Sequence, residues 1–222
     1  MKDPMKKIEN LFLLGTFFLS FLFILLLTFA KYPDWWSYVI FENTPLTWYE
    51  SVLLFTCGVF SFLISMLFYL NNEKKPFVLW GLLSVFFIGL SLDERFALHE
   101  RIRTLLLAPK DIKNPLFFWT EAGDFVLITL LLIALFFLPV YIKLFKVRKA
   151  SFALFLTGFF IAALAVIADS IPVKDYSIEF QRLQQYIEEI LETTAMIFFL
   201  NSLFKMLTYE IRQYAIIRKT LS

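Results

Sequence analysis

The sequence predicts an all-α, polytopic membrane protein with six transmembrane helices and both termini in the cytoplasm. Three observations lead there. Of 222 residues, 59% are hydrophobic, 19% are aromatic and 29 are Phe, whereas a soluble domain is about 45–50% apolar. A soluble core of this size cannot hide that excess, because roughly a third of the chain's surface stays in contact with water. Apolar runs of about 20 residues, the length that crosses about 30 Å of hydrocarbon, recur along the chain. Finally, the basic residues sort by side, as membrane orientation requires.

The spans follow in order. Residues 11–30 carry no charge and follow Lys2, Lys6 and Lys7. The run is too long for a signal-peptide core and no small-x-small cleavage site follows, so it reads as an uncleaved first span. The others are 48–70, 77–92 (with polar helix continuing towards Arg103), 117–142, 151–171 and 187–207, with a cytoplasmic tail over 208–222. Pro139 should kink or end the fourth. Span one, charge-free, should be peripheral, with spans three to six forming the polar core. With the N-terminus inside, 13 of the 21 Lys and Arg but only 4 of the 19 acids lie on the cytoplasmic side. Trp35, Trp36, Trp48, Tyr49 and Trp119 then mark the outer boundary, and Trp80, Tyr141 and Tyr209 the inner one, forming aromatic belts. The connections are too short to hold a further domain. A three-plus-three inverted repeat is permitted by the span count, but no repeat is evident in the residues, and the acids gather on one side only.

Composition excludes several classes. A formal net charge of +2 provides no field for nucleic acid. The single Cys, Cys57, allows no intrachain disulfide or thiolate cluster and reads as a packing residue. His99 is the only histidine, so no site needing two exists.

The informative feature is a ring of acids. Span three ends in Asp93-Glu94-Arg95 and, beyond Leu98, His99-Glu100. Span four opens Glu121-Ala122-Gly123-Asp124. Span five ends in Asp169, span six opens with Glu188, Glu189 and Glu192, and span two with Glu50. At about 1.5 Å per residue, Asp93, Asp124 and Asp169 lie about 24–27 Å above the cytoplasmic ends of their helices, and Glu192 about 20 Å. They share one level, in the outer third of the bilayer, where a carboxylate facing lipid costs a few kcal/mol. Asp93, His99, Glu121, Asp124, Asp169, Glu188 and Glu192 are therefore expected to converge in one outward-opening pocket. Asp124 and Asp169 should face each other, Glu192 should close the floor and His99 cap the mouth. His99 points about 100° away from Glu100 on an unbroken helix, so it reaches the pocket only if the helix bends or unwinds. The bland reading of any one acid is a span-end residue snorkelling to water, and Glu50, Glu100 and Glu189 are assigned to it. Arg95, Arg101 and Arg103 could simply neutralise Asp93, Glu94 and Glu100.

Carboxylates with one imidazole suit a divalent metal ion such as Ca²⁺, Mn²⁺, Fe²⁺ or Zn²⁺. In that reading Glu121, Asp169, Glu188 and Glu192 are the metal ligands, Asp93, His99 and Asp124 the catalytic groups, and the partner a membrane lipid whose ester or amide meets metal-bound hydroxide. A cation or proton transporter, using the same acids as a relay, and a structural subunit with acid–Arg pairs fixing helix register remain open. The order of polar groups, namely Trp48-Tyr49-Glu50, then Gly89-Leu90-Ser91 with His99, then Ala168-Asp169, then Glu188 with Glu192, resembles the alkaline-ceramidase-like membrane hydrolases of the CREST group. The resemblance covers about thirty residues and implies a hydrolase. It departs where the family's last span carries paired histidines, here Glu188 and Glu192, and where the family has seven spans. Glu121-Ala122-Gly123-Asp124 is also similar to the Glu-x-Gly-Asp signature of six-span cation exchangers. It occurs once rather than twice and is followed by Phe125 and Val126, which favours chance.

Overall fold

The computed structural model describes residues 4–117, 120, 122–123 and 125–221, with side chains to residue 216. Seven α-helices occur among them: α1 (Pro4–Ala30), α2 (Pro45–Leu70), α3 (Lys74–Phe96), the single turn α4 (Leu98–Arg101), α5 (Phe125–Phe145), α6 (Lys149–Asp169) and α7 (Ile178–Leu221). No strand is present among the described residues. All but α4 are long and apolar enough to cross a membrane, so the chain is a multi-pass membrane protein. The ends of α1 and α7 meet: Thr208 of α7 donates to Glu9 of α1 at 2.7 Å. This end of the bundle is called the terminal side below, and the other the acidic side.

Several boundaries differ from the sequence expectation, most of all in the fourth and last spans. The fourth span begins at Phe125. The preceding chain forms a π-helical stretch (Ile102–Leu107) and two 3₁₀ turns (Ala108–Lys110 and Pro115–Phe117), because Pro109 and Pro115 withhold N–H donors and Asp111 takes a left-handed backbone, φ 48°. The helix then continues through Pro139 to Phe145. The last helix starts at Ile178 and absorbs the expected tail. With no Gly or Pro over its 44 residues nothing stops it, and it runs about 66 Å.

Helices in lipid gain little from hydrophobic association and instead use small residues and interhelical hydrogen bonds. Here that device is used twice. Between α2 and α3, Ser51 and Ser91 each donate to the other's backbone carbonyl, at 2.9 and 2.8 Å. Seven residues along, Gly58 lies so close to α3 that an added Cβ would sit 2.6 Å from Ile88 Cγ1, and Ser84 donates to its carbonyl at 2.8 Å. Between α6 and α7, Ser151 and Ser202 make the same reciprocal pair, both bonds 2.7 Å. Seven residues along, a Cβ on Gly158 would lie 3.1 Å from the Ala195 carbonyl. The first clasp sits at the acidic side, beside Glu50; the second sits at the terminal side, beside Arg148. The two hairpins are thus packed alike in opposite senses across the membrane. The sequence conceals this because the device needs only a few small residues.

An aromatic core joins the hairpins. Phe145 stacks on Phe155 at 4.2 Å and meets Trp80 edge-on at 5.1 Å, and Phe199 bridges Phe155 and Phe87. The helix α1 is peripheral, with Leu11, Leu14, Phe18, Phe21 and Phe29 exposed. It docks on α7 through stacked Phe12 and Phe204, 4.0 Å apart, and through a line of polar contacts described next.

Candidate functional site

The acidic side is built around a break in α3. Ala97 takes a left-handed backbone, φ 48°, ψ 49°, which ends α3 and turns the next residues back. The His99 backbone N–H then donates to Asp93 Oδ1 at 2.8 Å, and His99 Nδ1 lies 2.9 Å from Asp93 Oδ2. The other ring nitrogen, Nε2, is 4.0 Å from Glu100 Oε1. Burial pulls the imidazole pKa down, but the hydrogen bond and charge of Asp93, with Glu100 and Glu192 nearby, outweigh it and raise the value to about 9. His99 is therefore an imidazolium at neutral pH.

His99 and Asp169 line one cleft, together with Arg103, Gly123, Val126 and Leu127. Gly123 shapes it. Its φ of +91° disfavours a side chain, and a Cβ there would meet Arg103 Cγ at 2.9 Å. Glu188 lies near enough to Asp169 for the two charges to interact, and its Oε2 accepts from Gln184 at 3.3 Å. Glu192 faces His99, Asp169, Glu42 and Asp93. The structure thus brings Asp93, His99, Asp169, Glu188 and Glu192 to one region. Glu121 and Asp124 lie outside the described residues. Among the described residues no three His, Cys, Asp or Glu converge in a geometry that could hold a metal ion. Arg103 pairs with Glu100 at 2.5 Å, and Arg95 donates to Asn43 at 3.2 Å.

Two further acids on this side, Glu50 and Glu94, lie outside the expected pocket, and they differ in depth: Glu94 is partly buried. Glu50 is fully buried, 0% exposed. Thr193 donates to its Oε1, while Oε2 meets no donor. Glu94, Glu189 and Glu192 lie near enough for their charges to act on Glu50. Depth along the helix assigned Glu50 to the interface, but helical face decides. Leu46, Glu50, Leu53, Leu54, Cys57, Ser61 and Ile64 form one buried stripe of α2. In α3, Trp80, Ser84, Phe87 and Ser91 form another, which Glu94 continues three residues on.

Below Glu50, hydrogen-bonded side chains continue between α1, α2 and α7 to the terminal side. Tyr49 meets Ser20 at 2.6 Å. Asn201 donates to Thr16 at 2.8 Å, and its Oδ1 is buried without a donor. Lys205 Nζ lies 3.8 Å from Glu9 Oε2, which also accepts from Arg148. On α7 the seam is Thr193, Ile197, Asn201 and Lys205, at intervals of four, then Thr208. One helix face unites them.

A family model, "Domain of unknown function (DUF8692)", matches residues 19–206. The chain belongs to the DUF8692 family. The match begins within α1 and ends within α7, and it takes in α2 to α6, both clasps and the acidic region between them. The comparison with curated proteins found no match, and neither did the comparison with solved structures.

Proposed function

We propose that this DUF8692 protein moves a cation or proton across the cell membrane, with its acidic side outward and both termini in the cytoplasm. One observation carries the reading, the polar seam from Glu50 and Thr193 through Asn201 and Thr16 to Lys205 and Glu9. Polar side chains buried between membrane helices are costly and characteristically mark ion paths and proton relays. The acidic side supplies the vestibule: carboxylates with few compensating cations concentrate positive ions. Two hairpins packed alike in opposite senses are also the architecture of many secondary transporters. The bias of Lys and Arg to the terminal side supports the orientation, and a reporter fused after Ser222 should be active only in the cytoplasm. The transport test uses purified protein in vesicles enclosing a pH-sensitive dye, with proton, Na⁺ and K⁺ gradients imposed in turn. Flux above protein-free vesicles is expected, and Asn201→Leu should reduce it at least tenfold. Vesicles as tight as protein-free ones under every gradient would refute the reading.

The Asp93–His99 pair favours a second reading, a metal-dependent lipid hydrolase. An oriented imidazolium beside a cleft at the membrane boundary can protonate a leaving group, with Asp93 holding the ring. A divalent ion would supply Lewis acidity. Hydrolysis of ester- or amide-linked lipids, lost in His99→Asn, together with a metal retained on purification, would establish this reading over transport.

A further inference from the structure

We propose that Lys205 selects the transported ion, passing protons by exchanging its own and holding metal cations back. This rests on the transport reading and names its ion.

A lysine near the end of a span ordinarily snorkels to water. Lys205 does not: it is 8% exposed. Helical side chains lean towards the helix N-terminus, which for α7 lies on the acidic side, so Lys205 reaches back along the seam. One turn along the same face, about 6 Å by helical rise, Asn201 Oδ1 is buried without a donor. The Lys205 ammonium itself stays 3.8 Å from Glu9 Oε2, too far for a hydrogen bond. Its N–H donors and an acceptor short of a donor thus share one stripe of the seam.

Glu9 is already matched. Its Oε2 accepts from Arg148 and its Oε1 from Thr208 at 2.7 Å. Arg148 is held further by the Lys205 carbonyl and the Thr208 hydroxyl. A guanidinium keeps its proton in proteins, whereas a lysine amine exchanges one. The charges facing Lys205 are Glu9 from α1 and Arg148 from the N-terminal cap of α6, with Lys6 of α1 near enough for its charge to act. One carboxylate therefore stands against more than one cation. A metal cation arriving along the seam meets that surplus of positive charge away from water, where repulsion is little screened.

A proton need not add to the surplus. The ammonium gives one N–H proton to water at the terminal side, leaving a neutral amine. The amine lone pair then takes a proton from the seam and restores the ammonium. One N–H bond breaks and one forms, and Lys205 never bears more than one positive charge. A metal ion has no counterpart to that exchange.

Flux into vesicles containing the full chain tests this, with a pH-sensitive dye for protons and radiotracer uptake for Na⁺ and K⁺. The wild type should carry protons while its Na⁺ and K⁺ uptake stays at the protein-free level. Lys205→Arg keeps the charge but not the exchange; Lys205→Gln keeps neither. Both should lower proton flux to the protein-free level, and only Lys205→Gln should admit Na⁺ and K⁺. A purely structural ion pair with Glu9 would instead be rescued by Lys205→Arg. Circular dichroism and gel filtration identify any variant that misfolds, and the wild-type selectivity needs no variant. Wild-type Na⁺ or K⁺ uptake matching the proton flux, undiminished proton flux in folded Lys205→Arg, or a folded Lys205→Gln as tight to metal cations as the wild type would each overturn the proposal and leave transport standing. No wild-type flux under any gradient would overturn both.

Discussion

Asp93 holds His99 at two atoms at once, the backbone N–H at 2.8 Å and ring Nδ1 at 2.9 Å. A side chain six residues earlier thus fixes both where the histidine sits and how its ring points. With Glu100 and Glu192 it raises the imidazole to about 9, against an ordinary value of about 6.5. Because the folded value is the higher one, the imidazolium's contribution to stability is complete below about pH 6.5 and fades as pH rises through about 9. It amounts to roughly 3 kcal/mol at most. The protein should therefore melt lower at pH 10 than at pH 6, and Asp93→Asn should lower the His99 titration by at least one unit. NMR of the single histidine reads this directly; an unshifted titration in Asp93→Asn would contradict the assignment of cause.

The reversal at Ala97 makes that grip possible. Left-handed backbone costs an alanine about 1 kcal/mol and glycine almost nothing. Ala97→Gly should leave the protein as stable as the wild type or up to about 1 kcal/mol more stable. Ala97→Val should destabilise it and return His99 towards its ordinary titration. Thermal unfolding in detergent and the same NMR signal check both.

Gly58 sets the distance between α2 and α3. A Cβ there meets Ile88 Cγ1 at 2.6 Å and α3 backbone at 3.3 Å, so Gly58→Ala forces the helices apart at about 1–3 kcal/mol. Gly158→Ala, whose closest approach is 3.1 Å, should cost less. Gly89→Ala meets nothing within 4 Å and should be neutral or slightly stabilising. Melting temperatures of the three variants should fall in that order, Gly58→Ala lowest.

Glu9 is 2% exposed and shared by Arg148, Lys205 and Thr208. Removing one partner of such a pair strands a buried charge, at about 3–5 kcal/mol. Arg148→Ala and Glu9→Ala should each destabilise strongly, and the double variant by clearly less than their sum. Additive losses in denaturation would show that the groups act independently.

The count and identity of the spans are legible in the sequence because apolar length is sufficient to define them. Depth is also legible, since rise per residue converts position to height, and it locates Asp93, Asp169, Glu188 and Glu192 on one side. Helical face is not legible from depth, which is why Glu50 looks interfacial until the stripe from Leu46 to Ile64 is drawn through it. Likewise Glu94 looks like a partner for arginine until it is placed on the stripe of Trp80, Ser84, Phe87 and Ser91. No residue type announces the left-handed turn at Ala97, so the position of His99 needs the structure. Glu121 and Asp124 lie outside the described residues, so their part of the expected pocket is carried by sequence alone.

The unbroken length of α7 has a mechanical consequence. With neither Gly nor Pro in its 44 residues, it offers no hinge at which one half could swing while the other stays still. It can tilt, rotate or slide only as a shaft. Glu192 towards the acidic side and Lys205 about 20 Å along are fixed to that shaft, so any displacement at one of them arrives at the other undiminished. A change of charge among the outer carboxylates is thereby geared to the grip on Glu9.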